Sequence, residues 1–581
     1  MNLIHSINGP VIKVKNATDF KILEMVYVGK KKLLGEVISV SNDFTVIQVY
    51  ESTAGLKPGE EVINTGEPIS LDLGPGLMGN IFDGIQRPLN KIKERDGNFI
   101  VPGSSIETLD SKKEWQVNII RKVGETISQG DIFADVPETE LITHKLMVPY
   151  GLKGEIKKIC KSGKYKINDV LLELEDQLGQ THQLTMIQRW PIKTARQFKR
   201  RLTLSEPLIS GQRVIDTLFP IAKGGTAAVP GGFGTGKTMM QHQFAKWCDA
   251  DIIVYIGCGE RGNEMTQTLE EFKELIDPKS NKPLIDRTIL IANTSNMPVA
   301  AREASIYTGI TLAEYYRDMG YHVAVMADST SRWAEALREI SGRLEEMPAE
   351  EGFPAYLPSR LSEFYERAGY VENFNKSFGS VSIVGAISPQ GSDFSEPVTQ
   401  NTKRFVRCFW ALDKELAYTR HYSAINWNIS YSEYINELSK WFNKNVGVNF
   451  FLYRQQFISL LAEENKLMEI VKLIGKDVLP DDQKLVLEIC RVIRVGYLQQ
   501  NAFHKEDTYV PLAKQLKMME TILYLNRRAK NIIKEGKAFS LLVNTKIFEK
   551  VIKIKYDVPN NNLQIFDDYF KLIDDALNSI K

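Results

Sequence analysis

Gly231-Gly232-Phe233-Gly234-Thr235-Gly236-Lys237-Thr238 is the stretch that decides how this chain folds. The eight residues fit the phosphate-loop pattern G-x-x-x-x-G-K-[ST]. The apolar run Thr226-Ala227-Ala228-Val229 precedes them, and a helical stretch begins near Thr238. Strand, glycine-rich turn and helix in that order are what phosphate binding needs. Glycines let successive backbone N–H groups curl around a phosphate. The helix N-terminus adds the positive end of its dipole. Lys237 is placed to reach the β- and γ-phosphates and the Thr238 hydroxyl to ligate Mg²⁺. Gly231, Gly232, Phe233, Gly234, Thr235, Gly236 and Met239 complete the nucleotide-binding candidates in this stretch.

Outward from the loop, residues 211–390 alternate apolar runs with stretches long enough for helices. The runs are 226–229, 251–256, 288–292, 321–327 and 380–387. This alternation predicts a mostly parallel sheet flanked by helices. A helix is expected over 309–319, stopped by Gly320 as its C-terminal cap. The run His322-Val323-Ala324-Val325-Met326-Ala327-Asp328 ends in an acid able to hold a metal through water. Apolar strands ending in Asp are common, so Asp328 gains weight only behind a phosphate loop. Hydrolysis also needs a group to orient the attacking water. Asp328 is followed by Ser329, so that group lies elsewhere. The run 251–256 leads into Gly257-Cys258-Gly259-Glu260-Arg261-Gly262-Asn263-Glu264, and ligand-facing groups gather at the carboxyl ends of such strands. Glu260 is the candidate base, with Arg261 placed to orient it or to meet developing phosphate charge.

Towards the N-terminus, segments such as 36–40 and 44–50 are rich in β-branched residues and punctuated by Gly and Pro, which suits a small barrel. A second β-rich region follows over about 112–190. Beyond about 432 the helical period of Leu and Ile dominates. At 581 residues the chain is too long for a single core. Its 43% hydrophobic and 25% charged residues are those of a soluble globular protein. Lys plus Arg total 73 against 72 for Asp plus Glu, a net charge of +1. That lacks the basic excess of a protein that grips phosphate backbones, so no nucleic-acid partner is expected. No apolar run approaches the ~18 residues needed to cross a bilayer, and the start lacks the pattern of a signal peptide. The five scattered cysteines contain no CxxC pair, which points to reduced thiols in the cytoplasm.

These segments together resemble the A-type catalytic subunit of V-type ATPases. The resemblance is carried by the phosphate loop, by Gly211-Gln212-Arg213-Val214-Ile215-Asp216 and by residues 257–265. Asn293-Thr294-Ser295-Asn296-Met297-Pro298, Ala327-Asp328-Ser329-Thr330-Ser331-Arg332-Trp333 and Ser395-Glu396-Pro397-Val398-Thr399-Gln400 carry it further. It runs with gaps from about residue 5 to 530, and the last fifty residues or so resemble the family only weakly. The resemblance implies a RecA-like P-loop NTPase core of the α/β class. An N-terminal β-barrel over 1–70 would precede the start of the nucleotide-binding domain at 71–111. A β-rich insertion over 112–190 would interrupt that domain before it resumes over 191–435, and a helical domain over 436–581 would follow. It further implies an alternating hexamer with a non-catalytic B-type subunit, ATP sites at the interfaces, and central rotor stalk and peripheral stalk partners. A membrane ion-translocating sector would be engaged indirectly, with the chain itself cytoplasmic and peripheral to the membrane. Glu260 matches the family's catalytic Glu, while Lys237, Thr238, Arg261 and Asp328 match its phosphate and metal positions. Tyr422 and Phe503 match aromatics that enclose the adenine, although core packing would explain either one taken alone.

An F-type β subunit or a secretion-system ATPase shares this core, but the insertion and the Gly-Glu-Arg-Gly-Asn-Glu wording argue against both. A transcription-terminating motor is disfavoured by the charge balance, and a non-catalytic subunit by the intact loop and Glu260. Gly232 stands where the family usually has a residue with a side chain, which predicts a less rigid free loop. Ser423 replaces a Pro beside Tyr422. Thr235 stands where some eukaryotic relatives carry a cysteine, so thiol switching is not expected.

Overall fold

Alternating strands and helices need a sheet to pack on, and the computed structural model provides one. It describes residues 2–580 except 16–18, 98–99, 105 and 279. The chain divides into two compact units, 1–203 with 224–226 and 250–406, and 204–223 with 227–249 and 407–581. Residues 191–435 therefore contribute to both.

In the first unit, six antiparallel strands run in the spatial order Ile4–Asn8, Val11–Lys15, Phe44–Val49, Leu33–Val40, Glu24–Val28 and Val62–Pro68. Leu3 bridges Glu61 and closes the barrel. Its inward positions are aliphatic, with Val14, Val26, Val37 and Ile47 fully buried. The insertion forms two four-stranded antiparallel sheets, one containing Glu114–Ile119 and Ile132–Pro137, the other Lys153–Ile159 and Leu172–Asp176. A buried network ties it to the rest of the unit. Glu138 accepts N–H bonds from Gly76, Leu77 and Met78 at 2.7, 2.8 and 3.0 Å. His144 Nδ1 lies 2.9 Å from the same carboxylate.

The strands Phe378–Ile387, His322–Asp328, Ile252–Glu260, Thr288–Thr294 and Ile81–Phe82 lie side by side and parallel in that order. Continuous apolar runs such as Ile252 to Ile256, all at most 1% exposed, are what a sheet covered on both faces requires. The sequence expectation of a helix over 309–319 is corrected here, because the helix is Val299–Asp318. It is buried nearly all round, so it shows no polar face from which a start could be read. Gly309 lies mid-helix, where a Cβ would come within 2.3 Å of Ile256 Cδ1. Its small size serves close helix–strand approach. Gly320 does end the helix, returning its N–H to the Arg317 carbonyl at 2.8 Å.

In the second unit, Ala227 and Ala228 pair in parallel with Cys408 and Phe409. The helix Lys237–Trp247 follows the phosphate loop. Beyond the short strand Tyr431–Ser432 the unit is mainly helical, with Phe450–Ile474, Asp481–Arg491, Leu512–Lys534 and Ile565–Asn578 the principal helices. No helix among the described residues is long and apolar enough to cross a membrane. The five cysteines are free thiols, four of them buried.

Candidate functional site

The phosphate loop lies in the second unit. Its turn depends on Gly236, whose φ of +82° at the N-cap suits glycine. The helix behind it starts at Lys237 with neither a side-chain cap nor an acid in its first turn. The positive end of the helix dipole therefore meets no acidic side chain of its own first turn. Thr235, 2% exposed, donates its hydroxyl to the Gly232 carbonyl at 2.8 Å. Lys237 is half-buried, Thr238 exposed, and Phe233 is 87% exposed.

Beside the loop opens a cleft with an empty volume of about 480 Å³, lined by Thr235, Gly236, Met239, Tyr422, Gln500 and Ala502 among others. It continues into a larger opening that adds Gly234, Arg420, Asn501, Phe503 and Tyr556. Tyr422 is 51% exposed and Phe503 87%. Core packing therefore does not account for either ring, since much of each lies open on the cleft wall. Gln212, from the Gly211–Asp216 segment, also lines the cleft, and the residues behind it are buried. Arg213 and Asp507 form an ion pair with both side chains wholly buried. Arg213 also donates to the Tyr497 and Gln499 carbonyls, and its backbone N–H donates to Gln500 Oε1 at 2.9 Å. Gln500 in turn donates its backbone N–H to the Tyr422 carbonyl at 2.7 Å. Asp216 accepts from Ser210, Gly211 and Gln515, and burial pushes its carboxyl up to about 6.

The acids lie in the first unit. Ile252–Glu260 and His322–Asp328 are adjacent and parallel with Gly257 opposite Asp328, so both carboxyl ends emerge on one edge of the sheet. The strand runs on to Glu260 itself through an irregularity between Cys258 and Glu260, further than the apolar run 251–256 indicates. Arg261, exposed, is the N-cap of helix Gly262–Glu274. Asp328, 4% exposed, accepts the Tyr255 hydroxyl on Oδ2 at 3.1 Å. Its Oδ1 is buried and meets no hydrogen-bond partner among the described residues. Burial, and then the charge of Asp328, push the Tyr255 phenol well above its ordinary value.

Tyr255 was not singled out by sequence reasoning, nor were Arg302 and Arg332. Gly259, at φ +72°, would with a Cβ come within 2.8 Å of Arg332 Cβ and 2.9 Å of Arg302 Cδ. Two guanidinium-bearing side chains thus crowd the residue before Glu260. Arg332 is held charged by its hydrogen bond to Glu335 and further by the charges of Glu260 and Glu264. The available signal was an Arg one helical turn past a strand-end acid.

Four family models match the chain in order. They are the ATP synthase alpha/beta family beta-barrel domain over 4–66, the alpha/beta subunit barrel-sandwich domain over 106–193, the ATP synthase alpha/beta family nucleotide-binding domain over 211–432, and the C-terminal domain of V and A type ATP synthase over 439–542. The V-type ATP synthase alpha chain 2 of Clostridium tetani is 60% identical over 99% of this chain and 96% of its own length. The V-type ATP synthase alpha chain of Halothermothrix orenii is 55% identical over 99% and 98%. The V-type ATP synthase alpha chain of Clostridium botulinum strain Hall is 51% identical over 99% and 97%. Among solved structures, the type III secretion system ATPase EscN of enteropathogenic E. coli has the same fold. Its TM-score is 0.63 at 20% identity, with 90% of this chain and 100% of that one covered. At that distance the likeness is one of fold alone. With more than half of its residues identical to proteins of this kind over nearly its whole length, the chain belongs to the V-type ATP synthase alpha chain family.

Proposed function

We propose that this chain is the catalytic subunit of a V-type rotary ATPase, hydrolysing or synthesising ATP at the interface with a non-catalytic B-type subunit, with rotation coupled to H⁺ or Na⁺ translocation. The observation that carries the reading is the pair of neighbouring parallel strands that end in Asp328 and Glu260, acids that can take different roles. Lys237 and the N-terminal end of its helix bind the phosphates. Glu260 orients and polarises the attacking water, with Arg261 meeting the charge that develops on the transferred group. Tyr422 and Phe503 cover the base. The residues fit a divalent cation, since Asp328 Oδ1 is a buried, unpartnered hard donor. Thr238 through its hydroxyl and Asp328 through water would hold Mg²⁺, which when bound neutralises charge on the phosphates. The site would lie at a subunit boundary, with the B-type partner, central and peripheral stalks and membrane sector as wider company, and the chain on the cytoplasmic side.

The test separates binding from chemistry. Glu260→Gln keeps shape while removing charge, so the variant should bind Mg-ATP and assemble but hydrolyse at least ~10²-fold more slowly. Asp328→Asn should weaken metal-dependent binding together with turnover, and Glu264→Gln should do much less. Near-normal turnover by Glu260→Gln would overturn the assignment.

A further inference from the structure

Tyr556 belongs to the short helix Ile554–Asp557 near the C-terminus, in the part of the chain whose sequence suggests least about function. Yet it lines the cleft beside Gly234, Tyr422 and Phe503. Its place there is built from both sides. Immediately before it, Lys555, 2% exposed, donates its ammonium to the carbonyls of Val495 at 2.7 Å and Gln499 at 3.1 Å. After it, the Asn560 backbone N–H donates to the Glu506 carboxylate at 2.7 Å and its side-chain amide to the Tyr509 carbonyl at 2.9 Å. Lys514, wholly buried, adds bonds to the Glu506 and Lys555 carbonyls and to Asn560 Oδ1. The Tyr556 ring packs on His504 with centroids 4.6 Å apart. A half-buried aromatic, anchored on both flanks to the 495–509 segment that carries Phe503, is held in a fixed place at the cleft.

We infer that Tyr556 is a third aromatic wall of the nucleotide-base pocket, so that the C-terminal segment takes part in base recognition. The inference rests on reading the cleft as the ATP site. Two partly exposed rings, Tyr422 and Phe503, already offer faces to a purine. Tyr556 extends that surface, while the amides of Gln499 and Asn501 on the same cleft offer polar groups to the base edge. Stacking is tolerant of geometry, because every base has a π-face and an aromatic ring needs only to lie against it.

The test is calorimetric titration of the full-length chain with Mg-ATP and, separately, with tripolyphosphate, which has the phosphates and no base. Tyr556→Ala should weaken ATP binding about five- to tenfold, the lower range for removing one aromatic from a stacked base, and leave tripolyphosphate binding unchanged. Tyr556→Phe should restore the affinity for ATP. Unchanged ATP affinity in Tyr556→Ala would overturn the inference, and so would equal weakening of both ligands, since that marks a structural role. Lys237→Ala keeps the two failures apart. If it binds both ligands as well as the parent, the ATP-site reading fails; if it loses both while Tyr556→Ala loses neither, only the third wall fails.

Discussion

Replacing Asp507 by Asn tests whether the cleft wall at Gln500 depends on the buried ion pair behind it. Asp507 and Arg213 are both wholly buried and contact each other directly. The carboxylate has a second duty, since Oδ2 accepts the Asn501 N–H at 2.7 Å. An Asn side chain has one accepting oxygen for those two donors, and its NH₂ must face whichever donor is left over. The guanidinium would then keep only its bonds to the Tyr497 and Gln499 carbonyls and would lose its counter-charge. Breaking a buried pair by removing one partner costs ~3–5 kcal/mol. The retained shape and one surviving hydrogen bond place Asp507→Asn near the lower end, about 3 kcal/mol, or roughly a hundredfold in the local folding equilibrium. Set against typical domain stabilities of ~5–15 kcal/mol, this is a large fraction. Urea denaturation should show the lowered midpoint, and hydrogen–deuterium exchange should speed up over residues 497–510, which carry Gln500 and Phe503. Mg-ATP affinity should fall with it. The double variant Arg213→Met with Asp507→Leu should be less destabilised than Asp507→Asn, because no uncompensated charge remains buried. A loss below about 1 kcal/mol in the single variant, with unchanged exchange over 497–510, would refute the reasoning.

Gly309→Ala should destabilise the first unit by ~2 kcal/mol, the ~3 kcal/mol of overpacking against Ile256 Cδ1 at 2.3 Å exceeding the ~1 kcal/mol gain in helix propensity. Adding Ile256→Val should recover part of the loss, and a net gain in urea midpoint for Gly309→Ala would show that the interface has room. Lys514 and Lys555 are pushed down to about 8 from 10.5, in each case first by burial. Between those pH values the unfolded chain holds protons that the folded chain has shed, so stability rises with pH across that window. Subtracting the urea midpoints of Lys514→Met from those of the parent between pH 8 and 10 should leave a rising difference, and a flat one would count against the depressed lysine.

Much of the proposed chemistry is legible in the sequence because it is local. The phosphate loop concentrates its glycines, Lys237 and Thr238 within eight residues, and a strand ending in Asp328 or Glu260 advertises itself by an apolar run that stops at an acid. Such patterns require only that neighbouring residues share a backbone conformation. The long helix Val299–Asp318 was misread because burial on every side erases the polar stripe that marks a helix in sequence. Other relations join residues far apart in the chain and have no local signature. Packing alone sets Gly257 opposite Asp328, puts the Tyr255 hydroxyl on the Asp328 carboxylate, crowds Arg302 and Arg332 against Gly259, and brings Tyr556 to the cleft of Tyr422 and Phe503. Whether an aromatic serves the core or a ligand was likewise open in the sequence, since the same side chain suits both. Tertiary structure decided against the core through exposure, because the packing around Tyr422 and Phe503 leaves their ring surface facing a cleft and open to water.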